Sequence, residues 1–334
     1  MSQILGLGTA LPPHRLDPEP SGELLRRVFP RLRGSELQPV TRYLVDEPDR
    51  LLCPRPLGQS MRVYAEEASR LAGEASRCAL TRAGVAPGDI DAIISVSCTG
   101  YLVPSLDVRL VHDLGLRTDV VRLPITELGC SGGLAALSLA HRHLEARPGD
   151  RVLVVAVELC SLSFRPHDAS LDNLMASMVF GDGSGAAVLG GGLGAGGLEL
   201  VAASQRLLPH SAGYLGFALE DDGFHVVLDS RLPRVLASGL EPAVEEFWRD
   251  GAEPSFYAVH AAGPRVFDAV EGALGLPPDA LAPSRHLFEQ VGNLSSASIL
   301  FALADLDEAV GDGLALAFGP GVTVELARLR RSSG

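Results

Sequence analysis

Apolar residues fall into short, dense runs, and the polar stretches between them carry the helix and turn signals. Ile4 to Ala10 predicts a short strand ended by Pro12-Pro13, and Arg26 to Arg33 a helical piece. An Ala/Glu/Arg-rich helix is expected from Val63 to Ala83, with Gly84 and Pro87-Gly88 as stop signals. Ile90 to Ser97, Val120 to Leu128, Val152 to Glu158 and Gly185 to Leu189 read as strands. A Gly/Ala/Leu helix follows Cys130 and ends near Pro148-Gly149, and the glycine-rich stretch 190–197 reads as a connection.

The second half repeats the first. Phe256 to Val259 is a strand followed by His260, as Ile93 to Val96 is followed closely by Cys98. Asn293-Leu-Ser-Ser-Ala-Ser opens a small-residue helix, as Cys130-Ser-Gly-Gly does. The intervals nearly agree: 32 positions from Cys98 to Cys130, and 33 from His260 to Asn293. Gly149-Asp150 and Gly311-Asp312 each lead into a strand, and Phe-Gly-x-Gly occurs at Phe180 and at Phe318. Duplication predicts an α/β chain with a pseudo-two-fold fold, an N-terminal half over 1–190 and a C-terminal half over 191–334. Short buried strands with interleaved helices predict mostly parallel sheets covered on both faces.

Composition narrows the function. The 334 residues carry 28 basic and 41 acidic side chains, a net charge of −13, which speaks against nucleic acid or an anionic membrane as partner. Every basic residue other than histidine is an arginine, so Schiff-base, pyridoxal-phosphate and P-loop lysine chemistry are excluded. Five scattered cysteines form no CxxC pair, which fits a reducing cytoplasm. No signal peptide and no membrane-length apolar run are expected.

Three residues could carry chemistry. Cys130 stands between an apparent strand end and Ser131-Gly132-Gly133, where a helix start would lower the thiol pKa with help from His260. Singly, Cys130 could be a buried structural thiol, His260 a core residue and Asn293 a helix N-cap. Together they occupy equivalent strand-to-helix junctions. A cysteine could take an acyl group from a thioester, while histidine and asparagine hydrogen-bond a thioester carbonyl and stabilise an enolate formed by decarboxylation. Such chemistry needs no metal, and no carboxylate stands out as a base.

The sequence resembles the type III polyketide synthases, the chalcone-synthase-like branch of the thiolase superfamily. The likeness runs from Ile4 to Glu325 and rests on Glu127-Leu-Gly-Cys-Ser-Gly-Gly133, Phe180-Gly-Asp-Gly183, Val259-His260, Gly292-Asn-Leu-Ser-Ser296 and Phe318-Gly-Pro-Gly321. It implies a five-layered αβαβα thiolase-like fold, a homodimer, malonyl-CoA and acyl-CoA as substrates, and no cofactor. It places the nucleophile on Cys130, the carbonyl-binding pair on His260 and Asn293, and cavity phenylalanines on Phe180 and Phe224. Coenzyme A contacts fall on Arg31, Arg33 and Arg265; ordinary solvated or packed side chains are the alternative for these arginines and phenylalanines. His260-Ala-Ala-Gly-Pro264 departs from the family's His-Pro-Gly-Gly-Pro.

Cys98 in Ser97-Cys-Thr-Gly100 and the run Glu158-Leu-Cys160-Ser-Leu162 resemble bacterial tetrahydroxynaphthalene synthases, making Cys98 a candidate cavity residue or a small core thiol. Pro104-Ser-Leu-Asp107 instead resembles alkylpyrone and alkylresorcinol synthases. An initiating ketoacyl-carrier-protein synthase shares the three residues, but its histidine precedes Gln-Ala-Asn, which is absent here. A degenerate scaffold homologue is the reading from another class, favoured only by the altered loop after His260.

Overall fold

The computed structural model describes residues 2–30, 39–191, 197–221, 223–249, 252–277, 279–306 and 310–331. The first half holds β1 (Ser2–Ala10), β2 (His14–Leu16), α1 (Pro18–Val28), β3 (Arg42–Leu44), α2 (Leu57–Ala83), β4 (Ala92–Val96), α3 (Leu106–Leu114) and β5 (Val121–Ile125). It continues with α4 (Gly132–Ala146), β6 (Arg151–Leu159), α5 (Leu171–Val179) and β7 (Asp182–Gly190). The second half holds β8 (Leu198–Leu207), β9 (Leu215–Glu220), β10 (Gly223–Leu228), α6 (Leu232–Phe247), β11 (Phe256–Val259) and α7 (Pro264–Leu274). It ends with α8 (Ala282–Val291), α9 (Ser298–Ala304), β12 (Gly311–Gly319) and β13 (Thr323–Arg331).

One sheet of nine strands runs β11-β12-β13-β8-β1-β7-β6-β4-β5. The order is mirrored about the β8–β1 contact: β8 answers β1, β13 answers β7, β12 answers β6 and β11 answers β4. The strand directions agree as well. The β4–β6 and β11–β12 pairs are parallel, while β6–β7, β12–β13, β1–β7 and β8–β13 are antiparallel. Duplication is therefore visible in the hydrogen bonding. The expectation of mostly parallel sheets is corrected. Among the described residues of this sheet three pairs are parallel and five antiparallel, because the last strand of each half, β7 or β13, runs opposite to the rest and lies between the first strand and the parallel set, and β1 and β8 are antiparallel to each other.

Side-chain alternation builds the layers. On β6, Val152, Val154 and Ala156 face one core with α4 and α9, while Leu153, Val155 and Val157 face another with α2 and α3. On β12, Ala315 and Ala317 join the first core, and Leu314, Leu316 and Phe318 pack with α6 and α7. The result is helix, sheet, helix, sheet, helix, the five-layered thiolase-like order expected from the sequence. Both central helices are rich in small residues, so the half-sheets approach closely.

One buried carboxylate within this scaffold makes stability depend on pH. Glu325 on β13 is 2% exposed, and Gln205 on β8 donates to it. Burial pushes its carboxyl up to about 7, with Gln205 and the positive Arg142 holding it lower. The unfolded chain ionises this group at an ordinary carboxylate pH, whereas the folded chain keeps the proton until about 7. Stability should therefore fall as pH rises across that window. Glu325→Gln keeps an acceptor for Gln205 and removes the charge. It should match the parent near pH 4 and exceed it at pH 8 by roughly 2–3 kcal/mol. Denaturant melts at both pH values test this, and a gap that widens toward acid overturns it.

Candidate active site

Both predicted strand-to-helix junctions meet at the centre of the molecule. Cys130 sits in a short 3-10 turn, Gly129–Ser131, that runs into α4. Gly129 has φ +52°, a left-handed value that an L side chain adopts only at a cost, and Pro320 lies against it. A Cβ on Gly133 would stand 2.1 Å from the carbonyl oxygen of Ser296. Only glycine there lets the Cys130 junction touch the Asn293 junction, which is the close approach its small residues predict.

Asn293 is 3% exposed and fixed by several bonds. Its backbone N–H donates to Val179 O (2.7 Å), and its carbonyl accepts from Gly181 N–H (3.0 Å), so it bridges to Phe180 at the end of α5. Its side-chain Oδ1 accepts from Ser295 N–H at 2.8 Å and from the Ser298 hydroxyl at 3.4 Å. With Oδ1 so engaged, the amide's donor end is left for Cys130, and a hydrogen bond from Asn293 acts on the thiol. Ser295 holds a left-handed φ of +49° and places its hydroxyl 3.4 Å from both the Cys130 and Cys98 sulfurs. Local strain of this kind is common where geometry serves a site.

His260 follows β11 and is 2% exposed. Its backbone N–H donates to Leu316 O (3.0 Å), and its ring lies edge-on to Phe318, 5.4 Å between centroids. The same end of β12 reaches the cysteine turn through Gly319, which abuts Leu128 and Ser131. Nδ1 is buried without a hydrogen-bond partner, and burial pushes the imidazole down to about 3, so the ring is neutral. The lowered Cys130 pKa expected from the helix start and His260 is not found. Burial pushes this thiol up to about 11, against the hydrogen bonds of Ser295 and Asn293 and with the negative Glu158 adding to the rise. The unliganded site thus holds a neutral thiol and a neutral imidazole.

Cys130 opens onto a narrow cavity of about 50 Å³ whose wall includes Thr99, Cys160, Phe180, Phe217 and Ser295. Beside it lies a larger, more polar chamber of about 650 Å³. The two share Leu51, Ser161, Phe164 and Val226. Phe180 is in the wall of the narrow cavity, and the two other candidates lie beside it. On the β9–β10 hairpin Phe217 and Val226 line the cavity, and Phe224, on the same face, packs edge-on against Phe217, 6.1 Å between centroids. Cys98 is next to the wall residue Thr99, with its sulfur 3.4 Å from the hydroxyl of Ser295, another wall residue. Arg265 is exposed on the first turn of α7 and is not a wall residue. Arg31 and Arg33 lie outside the described residues.

Two groups escaped the sequence reading. Glu158, fully buried at the end of β6, accepts from the N–H groups of Cys98 and Thr99 (both 3.1 Å), from the Thr99 hydroxyl (2.7 Å) and from Ser296. Its only signal was a lone charge after the six-residue apolar run Val152 to Val157. Arg42 is buried at 3% exposure, and its guanidinium donates to the carbonyls of Ser177 and Phe180 and to the Ser21 hydroxyl. It thereby clamps the α5 end to which Asn293 is bonded.

A cysteine and an asparagine at the starts of two central helices, in a mirrored five-layered fold, define a thiolase-like acyltransferase. Residues 50–193 match the family model of the chalcone and stilbene synthases, N-terminal domain, and residues 199–332 match its C-terminal domain. The chain is 36% identical over 295 residues to 1,3,6,8-tetrahydroxynaphthalene synthase of Streptomyces griseus, covering 86% of this chain and 79% of the relative. It is 34% identical over 274 residues to phloroglucinol synthase of Pseudomonas fluorescens, covering 79% and 78%. The crystal structure of 1,3,6,8-tetrahydroxynaphthalene synthase from Streptomyces coelicolor superposes with a TM-score of 0.91 at 31% identity, covering 99% and 100%. The chain belongs to the chalcone and stilbene synthase family and is a type III polyketide synthase.

Proposed function

We propose that the protein builds a polyketide from malonyl-CoA on Cys130 and cyclises it to a product of the tetrahydroxynaphthalene type. One observation carries this reading: the Cys130 sulfur faces the cavity with the donor end of Asn293 directed at it. The thiol gives its proton to neutral His260 and attacks the starter thioester. The acyl group moves to sulfur and CoA leaves. A malonyl thioester then loses carbon dioxide, and its enolate oxygen accepts hydrogen bonds from His260 and Asn293. The enolate carbon attacks the Cys130-bound acyl carbonyl, a carbon–carbon bond forms, and the cysteine sulfur departs. No cofactor beyond the CoA thioesters enters this scheme. The half over 1–190 supplies the nucleophile and the half over 191–334 the oxyanion donors. Arg31, Arg33 and Arg265 are proposed contacts for the CoA phosphates.

The shared wall of Leu51, Ser161, Phe164 and Val226 sets how much of the larger chamber a growing chain can use. A cytoplasmic homodimer belongs to the same proposal. The edge strand β5 leaves Val121 and Leu123 in solvent, and the nearby chain exposes Tyr101 and Val103, the latter at 79%. No helix among the described residues is long and apolar enough to cross a membrane.

Incubation with malonyl-CoA as sole substrate, followed by carbon dioxide release and mass spectrometry, tests the reading. Release of carbon dioxide with an aromatic pentaketide is the expected result. A triketide ring would move the product toward the phloroglucinol type. No turnover with malonyl-CoA, with or without acyl-CoA starters, would leave a scaffold homologue.

A further inference from the structure

Three cysteines surround the reaction space, yet one nucleophile is needed. Cys130 and Cys160 are in the cavity wall, and Cys98, part-exposed, shares the Ser295 hydroxyl with Cys130. What separates them is the partner of each sulfur. Cys130 meets Ser295 and Asn293, both able to donate to a thiolate. Cys98 meets Glu158: its Sγ lies 3.4 Å from Oε1, and its N–H donates to the same carboxylate. The remaining partners of Glu158 are the Thr99 N–H, the hydroxyls of Thr99 and Ser296, and the Ser97 hydroxyl at 3.4 Å. The Thr99 oxygen itself accepts from Leu159 N–H (2.8 Å), so its proton points at the carboxylate. Burial raises this carboxyl from its ordinary value, and the surrounding donors pull it back toward the ionised form.

We propose that Glu158 is a specificity residue that silences Cys98, so that the acyl chain loads and stays on Cys130. A thiolate at Cys98 would put two negative charges in contact in a buried site, so its S–H stays bonded to Glu158. Burial and Glu158 both hold the Cys98 thiol well above its ordinary range. Without the charge, Cys98 could lose its proton and attack the thioester carbonyl. The carbon–sulfur bond to CoA would break, CoA would leave as the thiol with that proton, and the acyl group would be stranded away from the Asn293 donor. The inference rests on Cys130 as nucleophile only for its purpose; the state of Cys98 can be read without it.

The test uses Cys130→Ala, which removes the competing sulfur, with and without Glu158→Gln. Iodoacetamide alkylation at neutral pH is followed by peptide mapping, with exposed Cys53 as internal reference. With Glu158 present, Cys98 should react far more slowly than Cys53. Glu158→Gln should raise the Cys98 rate, relative to Cys53, by roughly 10- to 1,000-fold, as expected for removing an adjacent charge. An unchanged ratio overturns the proposal. Should circular dichroism show Glu158→Gln unfolded, the pH profile of Cys130→Ala decides. A Cys98 midpoint no higher than that of Cys53 overturns the proposal, and a midpoint that drops when Glu158→Asp draws the carboxylate back from the sulfur supports it. Failure of the parent protein to load an acyl group on Cys130 would sink the proposed function while leaving the Cys98 result intact.

Discussion

Cys130→Ala is expected to abolish condensation without disturbing the fold. The sulfur meets only the Ser295 hydroxyl, at 3.4 Å, and the Asn293 amide, so its loss costs little packing or hydrogen bonding. The chemistry has no substitute. Asn293 is aimed at this sulfur, and Cys98 is held as a thiol by burial and by Glu158. Loss of an essential nucleophile is worth roughly 10⁶-fold in turnover. Malonyl decarboxylation should continue slowly, since His260 and Asn293 remain. Intact-protein mass spectrometry after exposure to acyl-CoA should find an adduct on the parent and none on the variant, with equal thermal melts. An adduct mapped to Cys98 or Cys160 would overturn the assignment of the nucleophile.

How much of this site was legible follows from what spacing encodes. The intervals from Cys98 to Cys130 and from His260 to Asn293 place four residues at equivalent junctions, and the mirrored strand order puts them there. Strand identity was legible wherever β-branched or apolar runs were continuous, as in β6 and β11. Strand direction was not, because a run of apolar residues reads the same whichever way its neighbour runs. The β9–β10 hairpin was invisible for a related reason. Its register puts Phe217 and Phe224 on one face, and which of the two rings reaches the cavity depends on how the hairpin docks, which local pattern does not encode. Glu158 and Arg42 act through contacts with residues distant in the chain, which local pattern cannot report. The thiol pKa failed differently. The helix start favours a thiolate, but burial opposes it, and burial is a property of the assembled core.

Asn293→Ala should lower malonyl decarboxylation by about 10²–10³-fold, the usual loss for one oxyanion-hole donor, or about 2.7–4 kcal/mol of barrier. The size follows from rigidity. Oδ1 is held by Ser295 and Ser298, and the backbone is bonded on both sides to the Val179–Gly181 segment that Arg42 clamps. The amide donor is therefore already in place when negative charge develops on the thioester oxygen, and no reorganisation has to be supplied at that moment. Starter loading should suffer less, because the thiol and its proposed proton acceptor His260 are untouched. Asn293→Asp sharpens the test: it keeps an acceptor for Ser295 N–H but replaces the donor facing the thiol with a carboxylate oxygen, so decarboxylation should fall at least as far as in Asn293→Ala. Rates of carbon dioxide release and of Cys130 acylation, measured separately, decide the matter. An equal fall in both, with the two variants alike in reduced thermal stability, would make Asn293 a scaffold residue rather than a donor to the enolate.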